Sequence, residues 1–417
     1  MGLTSALHIL DLCEFFSDRG GGVRSYLERM GKAAQAAGHR LTVVAPGRRA
    51  EVSQHSGMRL VHYAAPPMPY DATYRVPWRL DFMRRVVAEQ RPDVVQISSP
   101  FAPALAARFL EAGPLRVYFH HSDPIGCYVR PAIARLTRAR SAKVADCIEH
   151  AAWAWHRKIT GFCDATVVAG HWLEAELTAR GCARVTTVPF GITQSDLGSQ
   201  CRDAKLRERF LGPLANQADA VLVLISGRLA VDKRQALLVD ALRIVARTRP
   251  VALVVLGDGP ERAALQLRAR GLDYVTFLPF THDRAQFAGV LASVDFLLHG
   301  SLCETYGFVV AETLASGTPV VVPAAGGAGA LAQPECSETY AARDGADGVA
   351  RAVQRLLARP KEELRQAALR AAATFPTSEQ HFADLFALYA RLLHERAARE
   401  CGAPATLNAH SVRFNHT

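Results

Sequence analysis

Gly300-Ser-Leu-Cys-Glu304-Thr-Tyr-Gly-Phe-Val-Val-Ala-Glu312-Thr-Leu-Ala-Ser-Gly317-Thr-Pro319 decides the reading of this 417-residue chain. An apolar run at residues 294–299 precedes the stretch and a second, at 320–323, follows it. The whole therefore reads as strand, loop, helix, turn, strand: a parallel crossover. Gly317 and Pro319 stop the helix, because glycine accepts the left-handed cap and proline cannot continue the hydrogen-bond ladder. Glu304 falls in the loop at the carboxyl end of the first strand, where open α/β sheets bind ligands. Glu312 lies about two turns further on. A loop carboxylate beside a helix amino terminus suits a ligand that is both rich in hydroxyls and anionic. The carboxylate accepts from hydroxyls, and backbone N–H groups at the helix start face the anion.

The same alternation extends outward in both directions. Strand-like runs at residues 6–13, 41–45, 94–98, 115–119 and 165–169 fill the first half, and runs at 220–226, 251–256 and 275–280 lead up to the decisive stretch. Interleaved with helical patterns, they predict an α/β fold of two doubly wound parallel sheets. The length exceeds what one core usually organises, so two domains are expected.

Several loops after these strands carry chemistry. Gly20-Gly21-Gly22 follows the first strand and opens a helix over 25–37, a geometry that lets backbone approach a phosphate; the spacing does not match G-x-G-x-x-G. His120 and His121 follow the strand at 115–119. Gly227-Arg228-Leu229-Ala-Val-Asp-Lys233 follows the strand at 220–226. Arg228 offers a planar fork to two oxygens of an anionic group and Lys233 a point charge. Gly257-Asp258-Gly259 reads as a structural strand-to-helix turn.

In this order these residues resemble the retaining glycosyltransferases of family 4, which share the two-domain GT-B fold. The resemblance rests on the glutamate pair Glu304 and Glu312 with Thr305-Tyr306-Gly307-Phe308 and Ser316-Gly-Thr-Pro319, on the G-R-L-x-x-x-K element at 227–233, on the glycine pair Gly21 and Gly22, on His121-Ser122, and on Pro189-Phe-Gly191. It implies two Rossmann-like domains facing across a cleft: an acceptor-side domain at 1–193, a donor domain at 194–375 and a helix at 376–399 returning to the first domain. A polar tail at 400–417 completes the chain. It further implies transfer of a hexose from a nucleotide-diphosphate sugar to an acceptor hydroxyl. Arg228 and Lys233 would hold the diphosphate, Glu312 the ribose, and Glu304 with the backbone N–H groups of Thr305, Tyr306, Gly307 and Phe308 the donor sugar. Gly21 and Gly22 would approach the phosphates from the other domain. His121, or His120 one step behind, would contact the sugar without carrying a proton. No metal and no separate cofactor is expected. Residues 15–24 resemble segments of bacterial α-mannosyltransferases, which favours GDP-mannose slightly over a UDP-sugar. The glycine loop at 326–329 departs from the family pattern, because Ala330 stands where a glutamate is usual, and its role stays open.

Composition bounds the partners. The formal net charge is +10, and basic residues crowd the first half, among them Arg79, Arg84, Arg85, Arg130, Arg135, Arg138, Arg140 and Lys143. No zinc-finger, RNP-type or helix-turn-helix pattern accompanies them, so nucleic acid is not the expected partner. Arginines interleaved with Trp78, Phe82, Ile133 and Leu136 suit a helix at an anionic membrane surface, and hence a glycolipid or lipid-linked glycan acceptor. No apolar run reaches the roughly 20 residues that span a bilayer. The start lacks the basic and apolar segments of a signal peptide. Nine scattered cysteines without a C-x-x-C pair predict reduced, mostly buried thiols and a cytoplasmic protein at the inner face of the membrane. A nucleotide-sugar epimerase, a phosphorylase and a noncatalytic nucleotide-sugar-binding protein are the alternative readings.

Overall fold

Val221, Val223 and Ile225 pack into one apolar cluster, while Leu222 and Leu224, between them, pack into another. A strand buried on both faces in this way belongs at the centre of a parallel sheet covered by helices on each side. The computed structural model describes residues 6–16, 22–68, 71–130, 133 and 142–401. Gly20, Gly21, Arg135, Leu136, Arg138, Arg140 and the polar tail after Cys401 lie outside the described residues.

That central strand is β11 (Val221–Ser226). Its sheet also holds β12 (Val251–Leu256), β13 (Tyr274–Leu278), β14 (Phe296–Leu298), β15 (Val320–Pro323) and β16 (Ser337–Tyr340). The order is β13-β12-β11-β14-β15-β16, all parallel. This is the doubly wound arrangement in which strand order reverses beside the first strand, leaving a crevice between the loops that follow β11 and β14. Arg228 to Lys233 and Glu304 occupy those two loops.

The first sheet has eight strands, ordered β10-β9-β8-β7-β1-β2-β4-β3. They are β1 (His8–Leu12), β2 (Arg40–Gly47), β3 (Glu51–His55), β4 (Met58–Ala64), β7 (Val94–Ile97), β8 (Leu115–Phe119), β9 (Ala165–Val168) and β10 (Val185–Thr187). A separate ribbon pairs β5 (Pro67–Met68) with β6 (Asp71–Arg75). The sheet is parallel except at its edge, where β3 runs antiparallel to β4. Helix Gly22–Ala36 follows β1 and buries Tyr26, Leu27, Met30 and Ala34 at helical spacing.

The chain crosses between the sheets twice, at residues 188–193 and 376–378. The two crossings are joined, with Ile192 N–H donating to Pro376 O at 3.1 Å and Ser378 N–H to Ile192 O at 3.2 Å. Helix Ser378–Glu400 then returns to the first sheet, where Tyr389 donates its hydroxyl to Gln96 of β7 at 2.5 Å. Thr377 caps that helix by accepting from Gln380 N–H.

Two expectations are corrected. Only Cys13, Cys163, Cys182 and Cys336 are buried; the thiols are therefore not mostly hidden. Of the aromatic and aliphatic residues expected at a membrane, Trp78 is exposed, but Ile133 is buried and Phe82 packs its ring on Tyr63 at 5.5 Å. Phe82 is drawn towards the core because Tyr63 of β4 lies within reach of its ring.

Candidate functional site

The loop after β11 turns through a short helical segment, Val231–Lys233, and brings the Lys233 ammonium to 2.5 Å from Glu304 Oε1. Backbone bonds hold this loop in place: Leu229 N–H donates to Asp258 O at 2.9 Å and Glu261 N–H to Leu229 O at 3.0 Å. The Gly257–Gly259 turn is thus a strut for the cationic loop, as its sequence suggested. Gln235 fixes the Arg228 carbonyl at 2.8 Å, and the Arg228 guanidinium lies 3.4 Å from Asp232. Burial works against the charges of both Lys233 and Glu304, but each is outweighed by its partner. The ammonium is held above its usual range and the carboxylate well below its own. His299 faces the same Glu304 oxygen at 3.6 Å.

The loop carrying Glu304 rests on the third glycine segment. Gly327 N–H donates to the Glu304 carbonyl at 2.6 Å. A Cβ at Gly327 would run into the Tyr306 backbone, so only glycine permits this approach. The role that sequence left open for residues 326–329 is support from beneath. Gly307, at φ +97°, then starts helix Phe308–Ala315, which carries Glu312. Arg284 binds Glu312 Oε1 at 3.0 Å, and Arg29, from the first domain, lies over the Phe308 ring at 4.9 Å. Burial raises the Glu312 carboxyl against the pull of Arg284 and Arg29.

From the first domain comes His121, whose backbone carbonyl accepts from Thr305 Oγ1 at 3.0 Å. His120 turns inward to Tyr118 and His156. It is therefore His121 that stands beside the Glu304 loop. Behind its ring runs a buried relay: His121 Nε2 to Ser98 Oγ at 3.0 Å, then Ser98 Oγ to Asp11 Oδ2 at 2.6 Å, with Gln96 donating to the same oxygen. Asp11 has no hydrogen to spare at an oxygen that accepts twice, so Ser98 donates to it and accepts from His121. This leaves the His121 proton on Nε2 and the lone pair on Nδ1. Burial, with lesser effects of His120 and His381, pushes His121 down to about 3, which keeps the ring neutral.

The structure therefore brings Lys233, Glu304, Thr305 and His121 together. Tyr306 and Phe308 instead turn their rings onto Phe190 of the first domain, at 5.6 and 5.1 Å. Gly22 opens the helix that carries Tyr26, whose ring meets His121, and Gly21 lies outside the described residues. Sequence reading missed Asp11, Ser98, Arg29, Arg284 and His299. Asp11 alone left a signal, as a carboxylate between leucines in the central strand.

Two domains, each built on one doubly wound sheet and joined by paired crossings, with a cation–carboxylate pair at the switch point of the second, form the GT-B architecture. Residues 20–195 match the family profile described as Glycosyltransferase Family 4, and residues 220–359 that described as Glycosyl transferases group 1. The chain is 29% identical to a GDP-mannose-dependent alpha-(1-6)-phosphatidylinositol dimannoside mannosyltransferase of Mycobacterium tuberculosis, across 88% of this chain and 92% of the relative. It is 25% identical to a GDP-mannose-dependent alpha-mannosyltransferase of Corynebacterium glutamicum, across 78% and 75%. Among solved structures, sucrose-phosphate synthase from Thermosynechococcus elongatus superposes with a TM-score of 0.73 at 19% identity, covering 93% of this chain and 99% of that one. The chain belongs to glycosyltransferase family 4.

Proposed function

We propose that this enzyme moves a hexose, with retention, from a nucleotide-diphosphate sugar to a hydroxyl of a membrane glycolipid or lipid-linked glycan, and that GDP-mannose is its donor. The observation that carries the reading is the Lys233–Glu304 pair, set at the switch point against the His121 loop. Arg228 and Lys233 take the charge of the leaving diphosphate. Glu304 orients the sugar together with the backbone N–H groups after it. Arg284 holds Glu312 Oε1, so ribose hydroxyls bond to the other oxygen. His121 accepts from a sugar hydroxyl through Nδ1 and moves no proton. Attack comes from the face the diphosphate leaves, and the leaving phosphate receives the acceptor proton. The chain's own cations do the work a metal ion would otherwise do, and no cofactor takes part.

The donor preference is supported by the mannosyltransferase relatives. The acceptor class is supported by the lipid acceptor in the M. tuberculosis relative's name and by exposed apolar residues on the first domain. No helix among the described residues is long and apolar enough to cross a membrane, and a peripheral place at the inner membrane face fits this reading.

A thermal-shift series with GDP, UDP, ADP, GDP-mannose and UDP-glucose, with EDTA present, tests the donor. Stabilisation by GDP and GDP-mannose, lost in Lys233→Ala, is the expected outcome. Stabilisation by UDP alone would move the donor to a UDP-sugar. Release of nucleotide diphosphate at a near-normal rate by the Glu304→Ala, Arg228→Ala double variant would overturn the site.

A further inference from the structure

Cys303 stands directly before Glu304, and Cys127 lies in the first domain, 176 positions away. The fold sets their sulfurs 2.7 Å apart. Both sides of this contact are built. Asp123 Oδ1 accepts from Ile125 N–H at 3.0 Å and Gly126 N–H at 2.9 Å, which starts the turn Ile125–Val129 and aims Cys127 across the cleft. A Cβ at Gly126 would stand 3.0 Å from Cys303 Cβ and would also meet the Asp123 carboxylate, so glycine is what lets the two loops close on each other. On the far side of Glu304, the Thr305–His121 bond pins the same two loops, and Trp172 Nε1 donates to Thr305 O at 3.2 Å. Both cysteines are half-buried thiols.

We propose that Cys127 and Cys303 form a reversible disulfide that ties the Glu304 loop to the first domain and halts turnover. With hydrogen peroxide as oxidant, the Cys303 thiolate attacks one peroxide oxygen. The O–O bond breaks, water leaves after protonation, and Cys303 becomes a sulfenic acid. The Cys127 sulfur then attacks the Cys303 sulfur, the S–O bond breaks and a second water leaves. Two thiols and one peroxide thus yield one disulfide and two waters, with two electrons passing from sulfur to peroxide. Cys303 is the attacking group because Cys127 donates its S–H to it and Lys233 adds positive charge nearby, which together favour its thiolate against burial. Once formed, the bond fixes two loops that must part for a nucleotide to enter and leave between the domains.

The experiment treats the purified full chain with hydrogen peroxide, digests it without reduction and maps the peptides by mass spectrometry. The expected product is a Cys127 peptide joined to a Cys303 peptide and two hydrogens lighter than their sum. Nucleotide diphosphate release falls at least about tenfold and returns with dithiothreitol, whereas Cys127→Ala under the same peroxide stays within about twofold of its untreated rate. The thermal midpoint rises on oxidation, because the bond closes a long loop in the unfolded chain, and does not rise in Cys127→Ala. Exposed Cys147 and Cys401 give links between molecules, which the mapping separates. Absence of the joined peptide once those two thiols are fully oxidised overturns the proposal, as does a joined peptide with undiminished turnover. The proposal uses the functional reading only for the turnover arm. If the reduced protein turns over no donor, that reading has failed, and the joined peptide with its Cys127-dependent thermal shift decides the disulfide alone.

Discussion

Glu304 is held in its charged form by neighbours that also fix its position, so charge and shape can be separated by substitution. In Glu304→Gln the amide oxygen can still accept from Lys233, but the ammonium loses its counter-charge, and folding should weaken by about 3 kcal/mol. Turnover, if the charge orients the reacting sugar, should fall by about a hundredfold or more. Denaturation midpoints and initial rates on one preparation give both numbers; a normal rate would remove Glu304 from the chemistry. Asp11 offers a second test at this scale. Burial pushes its carboxyl up to about 7 despite the hydrogen bonds from Ser98 and Gln96. An acid bound more tightly to its proton in the folded state loses stability as pH rises from its unfolded value towards 7, and no more is lost above that. Asp11→Asn should therefore gain about 2–3 kcal/mol relative to wild type between about pH 5 and pH 8. Glu14, also raised to about 7, remains in both proteins. The buried histidines His120 and His381, pushed down to about 4, act in the opposite sense through the same window. Only the difference between variant and wild type isolates Asp11. A difference that does not change with pH would mean that Asp11 is ionised throughout.

At the scale of elements, the second sheet works because its loops lean on one another: the Gly257–Gly259 turn on the Arg228 loop, and the Gly326–Ala330 segment on the Glu304 loop. Gly327→Ala should force the two loops apart, costing about 1–3 kcal/mol of stability and lowering turnover without touching any charged group. Urea unfolding and steady-state rates would check this, and an alanine accommodated with both unchanged would show that the support is not needed. Much of this architecture was legible. Parallel strands buried on both faces read as continuous apolar runs, and β8, β12 and β15 fall where those runs predict. The edge pair β3 and β4 was not, because β3 is a polar, largely exposed pentapeptide whose pairing comes from its neighbour and not from burial. Within the site, Lys233, Glu304 and Glu312 announce themselves by spacing inside one domain. The Ser98–Asp11 link and the Cys127–Cys303 contact do not, since 87 and 176 residues separate their members and only the finished topology brings them together.

For the whole molecule, the distribution of charge and exposed apolar surface matters more than any single group. One face of the first sheet is covered by helices Leu80–Gln90, Ala102–Arg108 and Ala142–Phe162, which bury Met83, Val86, Ala104, Ala107 and Ile159 against it. The other side of this layer carries Leu105, Val144 and Ile148, with Trp78, Phe101 and Phe109 at its connections, all exposed. Arg84, Arg85, Arg108 and Lys143 are exposed on the same helices. Apolar groups that enter an interface and cations that meet anionic headgroups are the two contributions a peripheral protein combines. With a formal charge of +10, long-range attraction to an anionic surface adds to both. The full chain should therefore sediment with vesicles containing phosphatidylglycerol and much less with phosphatidylcholine alone, and about 0.5 M salt should release most of it. Arg84→Ala with Arg85→Ala should weaken anionic-vesicle binding by about 2 kcal/mol, roughly thirtyfold, because each basic side chain near the surface contributes about 1 kcal/mol. Trp78→Ala should weaken the part of the binding that survives salt. Turnover of a lipid-free acceptor should be unaffected by the two arginine changes, since Arg85 faces Glu89 on its own helix and Arg84 is exposed beside it. Failure to bind anionic vesicles even at low salt would leave the basic first half as a solvated face and would take the membrane out of the acceptor assignment.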